Sequence, residues 1–100
     1  MIIWNELLRR FRDCDFRGMI FNGLTDFRGA TFKSWADFHS ANFNGLTDFY
    51  GVTFNGDADF CGVTFNGLTD FYDATFKGWA DFNDAVAIAA QRRREKNGII

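Results

Sequence analysis

The sequence predicts an all-β solenoid, a fold in which short strands stack coil upon coil, and three regularities support this fold class. All 14 phenylalanines lie five or six residues apart, and after Phe21 the two spacings alternate without a break. From Phe16 onwards the residue two positions before each Phe is small or apolar and the residue between is mostly Asp, Thr or Asn, which indicates three-residue strands with alternating sides. Gly and Asn recur between these segments, where sharp corners need them. Stacking lets such short strands bury one continuous column of side chains.

An α-helix is incompatible with the phenylalanine spacing. An 11-residue period can indicate a right-handed coiled coil. At about 100° per residue, however, a step of five or six places consecutive phenylalanines on opposite sides of a helix. The repeat is also rich in Gly, Thr and Asn, which are poor helix formers. The helical alternative is therefore excluded for the repeats.

The extra residue in each six-residue spacing fixes the length of one coil. Leucine takes this position every 22 residues and never in the intervening turns, so that the series reads Leu24, Trp35, Leu46, Asp57, Leu68 and Trp79. In an 11-residue coil, Leu and Trp would share one column and their alternation would have no cause. Twenty-two residues accommodate four short strands and four corners, which predicts a four-sided coil.

The repeat resembles that of the pentapeptide-repeat proteins, in which a small residue, Asp or Asn, and Leu or Phe precede two variable positions. Ala36-Asp37-Phe38-His39-Ser40 and Ala41-Asn42-Phe43-Asn44-Gly45 fit this pattern, and the resemblance covers residues 13–84. It implies a right-handed quadrilateral β-helix with the Phe and the small residue pointing inward. The extra residue in every second unit, which gives 22 rather than 20 residues per coil, resembles a Phe-rich bacterial subtype.

Four ladders of phenylalanine are expected to fill the core. Rungs one coil apart would lie about 4.8 Å from each other, which suits offset aromatic stacking. Thr25, Thr47 and Thr69 form an inward column whose hydroxyls need partners, such as a turn carbonyl, and Cys14 takes an inward slot. The expected ladders are Phe16, Phe38, Phe60 and Phe82; Phe21, Phe43 and Phe65; Phe27, Phe49 and Phe71; and Phe32, Phe54 and Phe76.

Both ends are expected to carry α-helical caps that cover the open edges of the sheets. Residues 1–12 alternate apolar and basic side chains as an amphipathic N-terminal capping helix does. Residues 13–84 form the predicted β-helix, and residues 85–100 a C-terminal helix or tail with Asp84 as its N-cap. A homodimer or partner contact through a terminal helix is the alternative use of these segments.

The residues that carry chemistry predict no catalytic, cofactor or metal site. His39 is expected on an outward position of a flat face, whereas catalysis needs a base and a nucleophile held in a cleft. Cys61 also points outward, with no other Cys or His at ligand spacing. The glycines recur because corners do and form no phosphate-binding loop. We therefore expect a protein that is not an enzyme.

The compartment and the general partners follow from composition. No run approaches 18 apolar residues, so we expect no membrane span. The two cysteines are too few for a disulfide framework, which favours a reducing, cytoplasmic setting. We expect a protein partner and no direct binding of nucleic acid or membrane.

Two columns of aspartate are predicted on opposite faces. Residues 13–84 hold 11 aspartates and four basic residues, a balance of −7, whereas residues 1–12 carry +2 and residues 85–100 carry +3. Like charges about 4.8 Å apart in water repel by about 0.9 kcal/mol before screening. Hydrogen bonds from turn amides to the carboxylates would offset this repulsion. The columns are Asp15, Asp37, Asp59 and Asp81, and Asp26, Asp48 and Asp70.

Two classes of function fit this surface. The first is a rigid scaffold that displays rows of side chains to a protein partner, and aromatic residues and Arg dominate such contacts. The second is implied by the resemblance, because some pentapeptide-repeat proteins imitate duplex DNA and bind type II topoisomerases, as quinolone-resistance proteins do. A third idea, ice binding by the column Thr31, Thr53 and Thr75, lacks the paired Thr rows that it needs. For the scaffold, the candidate contacts are Tyr50 and Tyr72 stacked under Arg28, and the corner residues Trp35 and Trp79.

Overall fold

The alternation of inward and outward side chains produces a β-solenoid of about three coils with four parallel sheets. The structure is a computed structural model that describes residues 2–3 and 14–88. Each strand has two residues, and each of the four faces is one sheet. Face 1 contains β2 (Cys14–Asp15), β6 (Ala36–Asp37), β10 (Ala58–Asp59) and β14 (Ala80–Asp81). Face 2 contains β3 (Ile20–Phe21), β7 (Asn42–Phe43), β11 (Thr64–Phe65) and β15 (Val86–Ala87).

The other two faces complete each coil, so that faces 1 and 3 lie opposite each other. Face 3 contains β1 (Ile2–Ile3), β4 (Thr25–Asp26), β8 (Thr47–Asp48) and β12 (Thr69–Asp70). Face 4 contains β5 (Thr31–Phe32), β9 (Thr53–Phe54) and β13 (Thr75–Phe76). From β2 onwards, partners in register are 22 residues apart, as in Asp26↔Asp48 and Asp48↔Asp70. The 22-residue coil is therefore confirmed.

The strands are shorter than the predicted three residues because on faces 1 and 3 the phenylalanine already belongs to a turn. The carbonyl of Phe27 accepts a hydrogen bond from the amide of Ala30 at 3.0 Å, which closes a tight turn directly after β4. The residue before Ala30, Gly29, has a φ of 67°, and its equivalent Ser40 adopts the same left-handed conformation with a φ of 61°. These turns direct the chain from one face to the next.

The four phenylalanine ladders fill the core as predicted. Rings one coil apart are stacked, with centroids 4.9 Å apart for Phe38 and Phe60 and 4.7 Å apart for Phe49 and Phe71. The ladders of faces 1 and 3 also interleave, because Phe49 meets Phe38 and Phe60 edge-on at 5.9 and 5.7 Å. Phe27 and Phe38 lie on different faces and meet at 89° rather than stacking. This geometry excludes an 11-residue coil.

The inward Thr column finds the turn carbonyls that its hydroxyls need. Thr47 Oγ1 donates to the carbonyl of Gly45 at 3.2 Å, and Thr69 Oγ1 donates to that of Gly67 at 3.3 Å. Met19 departs from the inward pattern and is 42% exposed. It belongs to the first coil, and Ala41, its fully buried equivalent in the next coil, shows that this slot takes a much smaller side chain.

The predicted ends of the solenoid require correction. Ile2–Ile3 form a strand that pairs with Thr25–Asp26, so the chain does not begin with a capping helix at these residues. Asp84 is not a helix N-cap: it has a φ of 63° in a turn, and Val86–Ala87 then pair with Thr64–Phe65. The solenoid therefore continues past residue 84. The rest of the two predicted helical caps, residues 4–12 and 89–100, lies outside the described residues.

Candidate interaction surface

Each aspartate of the two acidic columns holds the turn that follows it. Its Oδ1 accepts the backbone N–H of the residue two positions later, as predicted. This arrangement satisfies a backbone donor that would otherwise lack a partner in the tight turn. The seven N···O distances are 3.1 Å for Asp15, 2.9 Å for Asp26, 3.0 Å for Asp37, 2.9 Å for Asp48, 2.8 Å for Asp59, 2.8 Å for Asp70 and 2.9 Å for Asp81.

Two arginines partly neutralise the first coils of these columns. Arg17 makes a bidentate contact with Asp15, including Nη2–Oδ2 at 2.8 Å, and lies 3.6 Å from Asp37 Oδ2. Arg28 repeats this geometry with Asp26 on face 3. The hydrogen bonds from Arg17 lower the pKa of Asp15 to about 2. The sequence gave each pair a common spacing of two residues, which was a signal for these contacts.

Aspartates of neighbouring coils differ in their electrostatic surroundings. Hydrogen bonds from Arg28 lower the pKa of Asp26. Asp48, one coil away, has its pKa raised, first by burial and then by the charges of Asp70 and Asp26. Arg28 Nε lies 3.8 Å from Asp48 Oδ2, which opposes this shift only weakly. The column therefore has both stabilised and destabilised carboxylates.

The six-residue corners are built on glycine because successive coils approach closely there. A Cβ at Gly67 would overlap the carbonyl group of Gly45, and one at Gly56 would lie 2.7 Å from the carbonyl carbon of Ser34. Next to the Gly45–Gly67 corner, the amide of Asn66 donates to Asn44 Oδ1 at 2.7 Å, and that of Asn44 to Asn22 Oδ1 at 2.9 Å. Sequence reasoning missed this side-chain ladder, although Asn repeats there every 22 residues.

The predicted aromatic contacts lie at the two borders of face 4. Tyr50 and Tyr72 occupy the corner between faces 3 and 4 and stack with ring centroids 5.9 Å apart. Trp35 and Trp79 occupy the corner between faces 4 and 1 and are 49% and 82% exposed. Arg28 precedes the two tyrosines in their column, and its guanidinium turns to the aspartates of face 3. Face 4 thus separates two aromatic borders.

The outward residues of face 4 itself are polar or basic. Its strands present Thr31, Thr53 and Thr75 in one column, and these side chains are exposed or half-buried. The next positions along the chain, directly before the tryptophan corner, are Lys33, Asn55 and Lys77, all exposed. Of the four basic residues among positions 14–88, only Arg17 lies away from face 4 and its borders.

Face 3 carries a shallow groove that was not predicted. Leu46, Thr47, Asp48 and the equivalent residues one coil later, 68–70, line an open space of about 230 Å³. The corner leucines of this face are exposed. Their 22-residue recurrence was visible in the sequence, but it only served to measure the coil.

The residues that carry chemistry remain separate in the structure. The exposed His39 has its Nδ1 3.1 Å from Ser40 Oγ. Burial and the carboxylates of Asp81 and Asp59 raise the pKa of the Cys61 thiol. Among residues 2–3 and 14–88, no group of three His, Cys, Asp or Glu side chains is placed to hold a metal ion. A helix long and apolar enough to cross a membrane is likewise absent from this described part.

The fold and the repeat together define the class of protein. A family model described as pentapeptide repeats (9 copies) matches residues 10–53 and 38–86. The chain therefore belongs to the pentapeptide-repeat family, whose members are usually non-catalytic. Searches of curated proteins and of solved structures gave no significant match.

Proposed function

We propose that this protein is a non-catalytic, rigid scaffold that binds a protein partner through the aromatic borders of face 4. The observation that carries the proposal is the exposure of Trp35 and Trp79 on a corner where neither indole is needed for the core. Exposed large aromatic side chains are enriched in the residues that dominate protein interfaces. The tyrosine pair on the other border adds a second apolar contact.

The solenoid supports these side chains on a backbone that is bonded coil to coil. Ala36 N donates to Asp57 O at 2.9 Å, and Ala58 N donates to Trp79 O at 2.7 Å, so the tryptophan corner is tied to the adjacent coils. A contact surface whose backbone is already ordered loses less conformational entropy on binding. This pre-organisation favours recognition over a role that needs conformational change.

Mimicry of DNA for a type II topoisomerase is the alternative, and the acidic columns are its support. Two observations weigh against it. All seven column aspartates accept turn amides, so their positions have a structural explanation. Arg17 and Arg28 also reduce the negative charge of the first coils. Three coils rise by only about 15 Å, which is the length of about four base pairs.

The test compares two sets of substitutions in the full-length chain. Proteins retained by the immobilised chain are identified, and the affinity of the strongest is measured at about 50 and 200 mM salt, a range over which phosphate-type recognition weakens by orders of magnitude. One set changes the seven column aspartates to Asn, which keeps the Oδ1 acceptor for each turn. The other set changes Trp35, Trp79, Tyr50 and Tyr72 to Ala.

The scaffold proposal expects the Asn set to leave affinity within about threefold and the aromatic set to reduce it at least about tenfold. Loss of binding and of salt dependence in the Asn set alone would instead establish the DNA-mimic function. Thermal melts of both sets provide the control for folding.

A further inference from the structure

The tryptophan corner has a regular spacing along the solenoid. Positions 35, 57 and 79 form one column, because the residue after each of the first two donates its amide to the next member of the column. Trp35 and Trp79 are therefore two coils apart, with Asp57 between them. Stacked rings on the adjacent face repeat at 4.9 Å per coil for Phe38, Phe60 and Phe82. Twice the usual strand spacing places the two tryptophan backbones about 9.6 Å apart.

This spacing discriminates among the backbone conformations that a partner segment can adopt. A β-strand presents side chains on one side at about 6.6 and 13 Å, which brackets the spacing without matching it. An α-helix returns to the same side after two turns, at about 10.8 Å. A polyproline II helix has three residues per turn and a rise of about 3.1 Å, so every third side chain recurs at about 9.3 Å. Polyproline II is the nearest match.

The chemistry of the corner suits the same conformation. Proline rings pack on exposed aromatic faces, as in the aromatic-lined grooves that bind proline-rich segments. The carbonyl groups of a polyproline II helix have no internal partners, so they can accept hydrogen bonds from an indole N–H or from the amide of Asn55, in the neighbouring column of face 4. No residue of this chain is proline, so the segment has to come from another protein.

The residue between the tryptophans adds a preference for charge. Asp57 is exposed, and its Oδ1 accepts the backbone N–H of Trp79 at 2.9 Å, which holds the carboxylate between the two indoles. The adjacent face 1 carries the column that includes Asp37, Asp59 and Asp81. A basic residue between two prolines would meet this negative charge.

We infer that the corner formed by Trp35, Asp57 and Trp79 binds a proline-rich segment in the polyproline II conformation, with prolines three residues apart on the two indoles and a basic residue at Asp57. The inference rests on the proposed scaffold function and names the chemical class of its partner. The binding surface is then a ridge along the solenoid axis, parallel to the ladders of the core.

The experiment titrates the full-length chain with fluorescently labelled twelve-residue peptides and measures anisotropy. The probe is Pro-Pro-Arg repeated four times. Gly-Gly-Arg repeated four times has the same charge without the polyproline conformation and measures non-specific attraction to the acidic columns. A helical peptide with leucine every seven residues tests the competing α-helical occupant.

The proline peptide is expected to bind at least about tenfold more tightly than either comparison peptide, and Trp35→Ala or Trp79→Ala should each reduce its affinity about tenfold or more. The double variant Asp57→Trp, Trp79→Ala keeps two tryptophans but moves them to neighbouring coils, and should lose binding as well. Tyr50→Ala, on the opposite border of face 4, is the control that keeps it. Asp57→Arg should shift the preference towards Pro-Pro-Glu repeats.

Three results would overturn the inference: equal binding of the proline and glycine peptides, preference for the helical peptide, or full binding by the variant with neighbouring tryptophans. The proposed function has a separate readout in the cellular partner. If that partner is lost with the aromatic set while the proline peptide does not bind, the scaffold function stands and the polyproline inference fails. Partner binding that ignores the aromatic set, with peptide binding intact, contradicts the scaffold function instead.

Discussion

Replacing Phe49 by alanine removes the ring at the centre of the core. Phe49 is fully buried and lies between the stacked rings of Phe27 and Phe71 at 4.9 and 4.7 Å. Two further rings from face 1 meet it edge-on. A large-to-small change at such a site loses the transfer free energy of the ring and leaves a cavity, which together cost about 3 to 5 kcal/mol. A domain of this size has a stability of about 5 to 15 kcal/mol, so the loss is a third or more of the total at mid-range.

Urea denaturation followed by circular dichroism measures this effect. With an m-value of about 2 kcal/mol per molar, the midpoint for Phe49→Ala should fall by about 2 M. Phe76→Ala provides the matched control, because Phe76 is only partly buried in the last coil and stacks on one ring, Phe54, at 4.9 Å. Its loss should be clearly smaller. His39→Ala, on the surface, should stay within about 0.5 kcal/mol. Equal losses for Phe49 and His39, or a larger loss for Phe76, would refute the assignment of the core.

Two further predictions concern the outward columns and the corners. Asp26→Asn should lower the urea midpoint at pH 7, because the lowered pKa of Asp26 means that its charge stabilises the fold above the ordinary value of 3.8 and that this stability is lost as the pH falls through the folded value. Asp48→Asn should raise the midpoint at pH 7, because its pKa is raised, and the gain should vanish in acid below 3.8; the same sign for both variants would contradict these environments. Gly67→Ala should cost about 1 to 3 kcal/mol, since its Cβ would overlap the backbone of Gly45. A midpoint like that of Leu68→Ala, on the exposed neighbour, would show that the corner has room.

The repeats could be predicted from the sequence because inward positions allow few solutions. A phenylalanine ladder needs the same residue at every rung, so its period reports the coil directly, and Phe21, Phe43 and Phe65 align as expected. The last strand was missed because Ala87 takes the next position in this ladder. Its backbone nevertheless continues the sheet, with Val86 N donating to Val63 O at 2.9 Å. Hydrogen bonds between coils do not require the marker side chain.

The first strand was missed for a different reason. The apolar residues at the start of the chain fit one face of a helix as well as a strand, and short apolar segments do not separate these alternatives. The pairing of Ile2–Ile3 with Thr25–Asp26 depends on the free edge of face 3, which is a property of the assembled coil. A pattern read along the chain contains no information on such an edge.

The outward columns were only partly predictable because local and long-range partners compete for them. The turn-capping role of the aspartates follows from their position two residues before a turn amide, and all seven have it. Arg28 was expected above the tyrosines, yet its guanidinium lies 2.8 Å from Asp26 Oδ2, because a charged hydrogen bond outweighs contact with an aromatic ring at an exposed site.

Where the 22-residue repeat is broken, the fold does not explain the residue, and this separates the candidate site from the scaffold. The aspartate columns and the corner glycines repeat at every coil for reasons of turn geometry and close approach. At the corner of Trp35, Asp57 and Trp79 the type of residue alternates instead, so its period is two coils. Asp57 has a structural role there, since it caps the amide of Trp79, but the two exposed indoles have none in the core. A period of two coils is a property that a ligand with a repeat of about 9 to 10 Å recognises and that stacking of identical coils does not require.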